Sequence, residues 1–192
     1  MFGIGIGLIA IAALVTAGCA FTRFGYESAA YKVSSKSGEF EIRNYESLVI
    51  VSTPMAALKE NSGESFMRLF RYISKDNEGS QKISMTTPVL MTMEEGKNRM
   101  SFVVPKDIVT KGVPKPKSPE VEIETFPAGR YASYRFSRSW NQNRAKEAEM
   151  KLREWAKTQK LKVTGTALLA GYDPPFTPKP MRRNEILLRI VD

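Results

Sequence analysis

The spacing of hydrophobic residues changes period several times along this chain, and each change marks an element. Residues 39–45 and 48–53 alternate apolar and polar side chains, the period-2 pattern of half-buried strands. From Gly63 to Ser74 the period lengthens. Phe66, Leu69, Phe70 and Ile73 stand at i, i+3, i+4 and i+7, which predicts an amphipathic helix facing a core, with Ser62 placed to cap it. Strands over 83–93 and 99–104 follow, joined by a turn at 95–98. After a Pro-rich connection at 114–119 the succession repeats. Residues 120–126 and 131–137 read as strands, and 143–158 as a helix with Ala145, Ala148, Leu152, Trp155 and Ala156 on one face. Strands over 166–172 and 185–191 close the pattern. Two ββαββ units of similar length predict a duplicated α+β fold, with eight mostly antiparallel strands and a helix packed on each half.

The last two strands are joined by the least ordinary stretch of the chain, GYDPPFTPKPMRRNE over 171–185. Pro174, Pro175, Pro178 and Pro180 fix φ and remove backbone donors, so the segment crosses a surface as a rigid extended strap. A second block reads FMRLFRYISKDN and then KISMTTPV from Lys82 to Val89, a short amphipathic helix ending in Tyr-Ile, an Asn, and a Met-Thr-x-Pro-Val strand. In order and spacing these two motifs resemble the SOUL haem-binding protein family, over about residues 31–191. The resemblance implies a distorted eight-stranded antiparallel barrel with two helices. Two departures stand out. Ser74-Lys75-Asp76 replaces the glycine common after the Tyr-Ile pair, and Phe136-Ser137-Arg138 replaces a Phe-Ser-Gly.

The N-terminus points to a membrane. The first 22 residues carry no charge, and the apolar run 2–15 leads to Thr16, Ala17, Gly18 and then Cys19, the single cysteine. This reads as a signal peptide, 1–18, with a lipobox-like end that leaves Cys19 as the lipidation site of an envelope lipoprotein facing periplasm or exterior. Residues 19–30 form a tether, and 31–192 a single SOUL-like domain. Against cleavage, the n-region has no Lys or Arg, and about 20 apolar residues suffice for an uncleaved transmembrane anchor. A buried N-terminal helix is the third reading.

Charge adds less than its size suggests. The balance is +9, from 29 basic and 20 acidic residues, with basic clusters at 106–117, 144–162 and 179–183. A tethered protein meets anionic lipid and anionic small ligands before nucleic acid, so no nucleic-acid partner is expected. The oligomeric state stays open. With one cysteine there is no disulfide, and the body must hold itself together by burial.

The chain contains no histidine. That removes Ser-His-Asp and Cys-His catalysis, His-based zinc sites and a proximal histidine ligand for haem. The family resemblance implies a non-enzymatic binder of haem or another amphipathic tetrapyrrole, held in an open apolar cleft without a histidine ligand. Carried onto FMRLFRYI, it places that cleft along the first helix, with Met67 and Phe70 and, from the strap, Phe176 as apolar walls. Arg68, Arg71 and Lys179 are then the cations for propionates. Phe66, Leu69, Phe70 and Ile73 also read as ordinary core, and Met91 and Met93 as flexible core filler. Glu185 alternates with Asn184 and Ile186, so it shares a face with Arg183 and reads as half of a structural ion pair. Two rivals remain: a small-molecule hydrolase using a buried carboxylate, and an envelope interaction protein using its basic face.

Overall fold

The computed structural model describes residues 25–55, 63–94 and 96–191. The signal peptide, Cys19, the cap Ser62 and the turn residue Glu95 lie outside them.

The body is one large antiparallel sheet carrying two helices on its outer face. In chain order its strands are β2 (Tyr31–Ser37), β3 (Phe40–Tyr45), β4 (Leu48–Pro54), β6 (Val89–Thr92), β7 (Arg99–Val103), β8 (Glu122–Phe126), β9 (Gly129–Ser137), β10 (Lys162–Gly171) and β11 (Arg183–Val191). The short strands β1 (Glu27–Ser28) and β5 (Thr86–Thr87) pair with each other in parallel. Helix α1 spans Gly63–Ile73, α2 Lys106–Lys111 and α3 Gln142–Thr158. The sheet therefore holds nine strands and stays open, a barrel-like sheet rather than a closed barrel.

Its order, β2-β3-β9-β11-β10-β6-β7-β4-β8, makes the duplication visible. With β2 set aside, the sequence is symmetric about the β10–β6 pair. Each unit keeps its last two strands beside its own second strand, but sends its first strand to the other unit: β3 pairs with β9 and β8 with β4. Only two residues join β3 to β4, and two join β8 to β9. Both links connect opposite ends of the sheet, which must curl to accommodate them.

Alternation then sorts side chains between the two faces of the curled sheet. Tyr45, Ile50, Leu90, Val103, Phe126, Tyr131, Ala170 and Leu187 form the inner core. There Tyr45 meets Phe126 and Tyr131 with ring centroids 5.5 and 5.4 Å apart, bridging the gap that hydrogen bonds leave open. The outer face packs under the helices. Helix α1 covers β4 and β7 and buries Ser65, Leu69, Tyr72 and Ile73. Helix α3 covers β9, β10 and β11 through Ala145, Ala148, Leu152 and Ala156, and Asn141 caps it by accepting from the Arg144 N–H at 2.9 Å. Trp155 stacks on Phe40 at 5.0 Å.

The buried stripe of α1 thus runs through Tyr72 rather than through Phe70, which is 41% exposed. The run 83–93 is also not one strand, because Pro88 has no N–H to give a ladder and separates β5 from β6. Strand β2 and helix α2, both short of apolar periodicity, had no signal in the sequence. The described part of the expected tether is attached to the body: Ala29 is buried and donates its N–H to the Thr87 carbonyl at 2.8 Å.

At one mouth of the inner core sits a fully buried carboxylate. Glu185 is 0% and Arg43 2% exposed. The Arg43 guanidinium donates to both Glu185 oxygens, at 2.5 and 3.0 Å, while Arg183 Nε and the Tyr172 hydroxyl add bonds of 2.8 Å each. Arg43 also donates to Glu41 at 2.8 Å and lies 4.2 Å over the Tyr31 ring. Burial alone would raise the Glu185 pKa, but the bonds from Arg43 and the charges of Arg43 and Arg183 outweigh it, and the carboxyl is held below its ordinary value. Glu41 is lowered too, by Lys36 and Arg43 against its own burial.

Removing Arg43 strips the buried Glu185 of its one fully buried cation and leaves only the part-exposed Arg183 to compensate it. Arg43→Met is therefore expected to cost about 3–5 kcal/mol in urea unfolding, far more than Arg135→Met at the exposed Glu39 pair. The pH dependence has a defined sign. The folded state holds both carboxyls below 4.5, so the unfolded chain takes up protons first and stability falls as pH drops below that value. Thermal melts from pH 7 to pH 3 check this, and Glu185→Gln should flatten the acid limb.

The two glycine replacements leave a mark on the backbone. Lys75 has φ +116° and Arg138 φ +76°, a region that side-chain-bearing residues rarely adopt. Lys75→Gly and Arg138→Gly should each raise stability by up to about 1 kcal/mol, read as a higher urea midpoint at unchanged slope.

Candidate functional site

Because α1 lies over β4 and β7 while α3 lies over β9, β10 and β11, the outer face is left bare between them. That strip is the pseudo-symmetry axis, β6 and the end of β10. A cleft of about 470 Å³ opens there, within the usual range for small-molecule sites.

Its floor is Val89 and Met91 of β6, Met100 of β7 and Gly171 of β10. Register places Gly171 opposite Val89 and Met91 opposite Met100. Gly171 keeps the floor open: a Cβ there would meet only the Met91 methyl at 3.9 Å and the Val89 carbonyl at 4.0 Å, so the space is cleft rather than packed core. One wall is α1, through Gly63, Phe66 and Met67, and Trp140 lines the cleft just before α3. The strap contributes Asp173, Pro175 and Arg182.

The strap is stiff for reasons beyond its prolines. Arg182 donates to the Thr177 carbonyl at 2.9 Å and to the Pro175 carbonyl at 2.5 Å, and Asp173 accepts the Arg183 N–H at 2.5 Å. A turn from the Thr177 N–H to the Pro174 carbonyl, 3.0 Å, buries Thr177 and leaves Phe176 on the outer bend, 73% exposed. Asn77 does similar work after α1. Fully buried, it donates to the Tyr72 and Gln81 carbonyls and accepts from the Gln81 N–H, which fixes the chain between helix and β5.

The residues expected from sequence divide into three groups. Met67 lines the cleft. Arg68 and Arg71 line a neighbouring cleft with Gly63, Glu64 and Met67, so Gly63 and Met67 are common to both. Arg68 is also tied to the sheet, donating to Thr53 Oγ1 and pairing with Glu120, each at 3.0 Å. Phe70 stacks outside Phe66 at 6.0 Å, and it is Phe66 that faces the cleft. Phe176 and Lys179 lie on the strap but do not line the cleft, where Asp173, Pro175 and Arg182 stand instead. Gly171, Val89, Met91, Met100 and Trp140 had no place in the expected site. Only the position of Gly171, a bare residue at a strand end before the strap, could have hinted at it.

The buried carboxylate does not make a catalytic acid. Glu185 is compensated by two arginines and faces the inner core beside Tyr172, away from the cleft.

The model of the SOUL heme-binding protein family matches residues 26–189. Heme-binding protein 2 of Mus musculus is 31% identical over 169 residues, covering 81% of this chain and 80% of its own. Heme-binding protein 1 of Xenopus tropicalis is 29% identical over 161 residues, 77% and 81% of the two chains. Among solved structures, the EcmrR C-terminal domain superposes with a TM-score of 0.60 at 11% identity, over 84% of this chain and 98% of that domain, a likeness of fold.

Arg182 holds the strap through backbone carbonyls, so Arg182→Ala is expected to cost about 1.5–3 kcal/mol. Hydrogen exchange should accelerate across residues 173–183 more than across β11.

Proposed function

The chain belongs to the SOUL heme-binding protein family, and on that premise we propose that it binds haem or another amphipathic tetrapyrrole in the cleft between α1 and α3. It acts as a binding protein rather than an enzyme. The observation that carries this reading is the shared wall: Gly63 and Met67 line both the apolar cleft and the cationic one beside it. A planar apolar ring with carboxylate arms needs that combination. Phe66, Val89, Met91, Met100, Trp140 and Pro175 offer the ring an apolar surface, and Arg71, with Arg68 behind it, offers charge to the arms. The donor set fits the group, since burying the ring removes apolar area from water while its carboxylates stay at the wet, basic edge.

The body is held at a membrane of the cell envelope by acylation of Cys19, which would set the cleft close to a reservoir of amphipathic ligands. The apolar run 2–15, followed by the small residues Thr16, Ala17 and Gly18 just before Cys19, supports this. Among the described residues no helix is long and apolar enough to cross a membrane. Mass spectrometry of membrane-extracted protein tests the anchor: a diacyl or triacyl mass on Cys19 is expected, and an unmodified mature N-terminus would refute it.

Titration of hemin into the body should give a saturable Soret shift at low micromolar concentration. Gly171→Leu fills the floor at a position whose backbone tolerates a side chain, so it should fold while binding hemin at least about tenfold more weakly. Arg71→Glu should weaken binding about fivefold, in line with a partly exposed ion pair worth about 1 kcal/mol. Unchanged affinity in Gly171→Leu would place the ligand elsewhere.

A further inference from the structure

Thioether sulfur is the metal-ligating chemistry that this cleft contains. Three of the chain's nine methionines line it, Met67 from α1 and Met91 and Met100 from the sheet. The β6–β7 register sets Met91 directly opposite Met100. Residues so placed on one face hold their Cβ atoms about 4.5–5.5 Å apart, so two thioether side chains stand side by side in the floor. Met67 approaches the same space from the helix.

Other donors are missing from that space. The chain has no histidine, and its single cysteine is Cys19. No lysine or tyrosine lines the cleft, and Asp173 already accepts the Arg183 N–H. Among the described residues, no group of three or more His, Cys, Asp or Glu gathers around a possible metal.

Core filling accounts for Met91 and Met100, which are 2% and 3% exposed, but not for Met67, which is 45% exposed at the rim. A side chain in that position does not fill a core. It can reach over the cleft without leaving a cavity behind. Its sulfur is soft and polarizable, a ligand type that haem iron accepts and that favours the reduced metal.

Building on the tetrapyrrole reading above, we propose that methionine sulfur ligates the metal of the bound ring. Met67 at the rim, and Met91 and Met100 in the floor, are the side chains that would supply it. Ligation of this kind makes the site selective for metallated over metal-free rings, which an apolar slot alone would not be.

The test uses the wild type, the single variants Met67→Leu, Met91→Leu and Met100→Leu, and the triple variant, each titrated separately with hemin and with metal-free protoporphyrin. Leucine conserves volume, and circular dichroism checks the fold. The wild type is expected to prefer hemin by about tenfold or more and to show a sulfur-to-iron charge-transfer band at the red end of the ferric spectrum. In the triple variant the band should vanish and the preference fall to within about twofold. Should the triple variant not fold, Met67→Leu at its half-exposed position decides, with a weakened band and preference expected. Equal affinity for the two rings in the wild type, or a band that survives these substitutions, overturns sulfur ligation while the cleft reading stands. If neither ring binds, both readings fall together.

Discussion

Two links of two residues each govern this structure. Glu46 and Ser47 join β3 to β4, and Pro127 and Ala128 join β8 to β9, yet in each case the joined strands lie toward opposite ends of the sheet. Links so short force the sheet to curl until its ends approach. Curling gives it an inside, which its own side chains must fill, and an outside, which the helices must cover. Each unit supplies one helix, and each helix sits over its own half. The seam between the halves is therefore bare by construction, and the cleft lies along that seam.

The inside is sealed by a different kind of interaction. An apolar plug would have served the inner core, yet its mouth is occupied by Glu185 between Arg43 and Arg183, with Tyr172 completing the carboxylate's bonds. Replacing such a group with apolar residues is often neutral or stabilising, so its presence is weak evidence of added stability. What it does is fix register. Arg43 reaches Glu185 from β3, across the β9 strand that pairs with both β3 and β11, while Arg183 stands two residues from Glu185 on β11 itself. A slip of one residue in β3 would turn Arg43 to the helix-covered face, and a slip in β11 would turn Glu185 there together with Arg183, so either one parts Arg43 from Glu185. The same network consumes the carboxylate that could otherwise have served as an acid or base, leaving ligand chemistry to the outer face.

Much of this was legible in the chain because it is local. Both long helices and the two ββαββ units follow from apolar spacing, and Arg183 beside Glu185 follows from alternation along one strand. What could not be read depends on partners distant in sequence. Arg43 and Glu185 are 142 residues apart, and nothing in either strand names the other. The exchange of first strands between the units is equally silent, because a strand's pattern records which face it buries and not which neighbour it meets. The site suffered most from this. Residues on α1 were visible as a motif, but the floor came from β6, β7 and β10 meeting at the seam, and the apolar residues there look like any other strand interior.

Phe70 and Phe176 show how a motif can mislead about a surface. Both are aromatic and both lie in motif segments, yet neither lines the cleft. Phe70 lost its place because α1 buries Ser65, Leu69, Tyr72 and Ile73, which rotates Phe66 rather than Phe70 toward the seam. Phe176 lost its place to a turn, since the Thr177 N–H closes on Pro174 and buries Thr177 instead. In each case backbone geometry chose between adjacent apolar candidates that composition could not separate. The strap's contribution to the cleft is accordingly Pro175 and the polar pair Asp173 and Arg182. Arg182 is held by the strap's own carbonyls but keeps its charge, and with Asp173 it forms the charged part of the cleft lining. Across the cleft, Arg71 shares the α1 rim with Met67 and, unlike Arg68, has neither Thr53 nor Glu120 holding it. The cleft is thus asymmetric despite the symmetry of the seam: the charged part of its lining, Asp173 and Arg182, stands on the strap side, while α1 lines it with Gly63, Phe66 and Met67 and carries Arg71 on the neighbouring cleft.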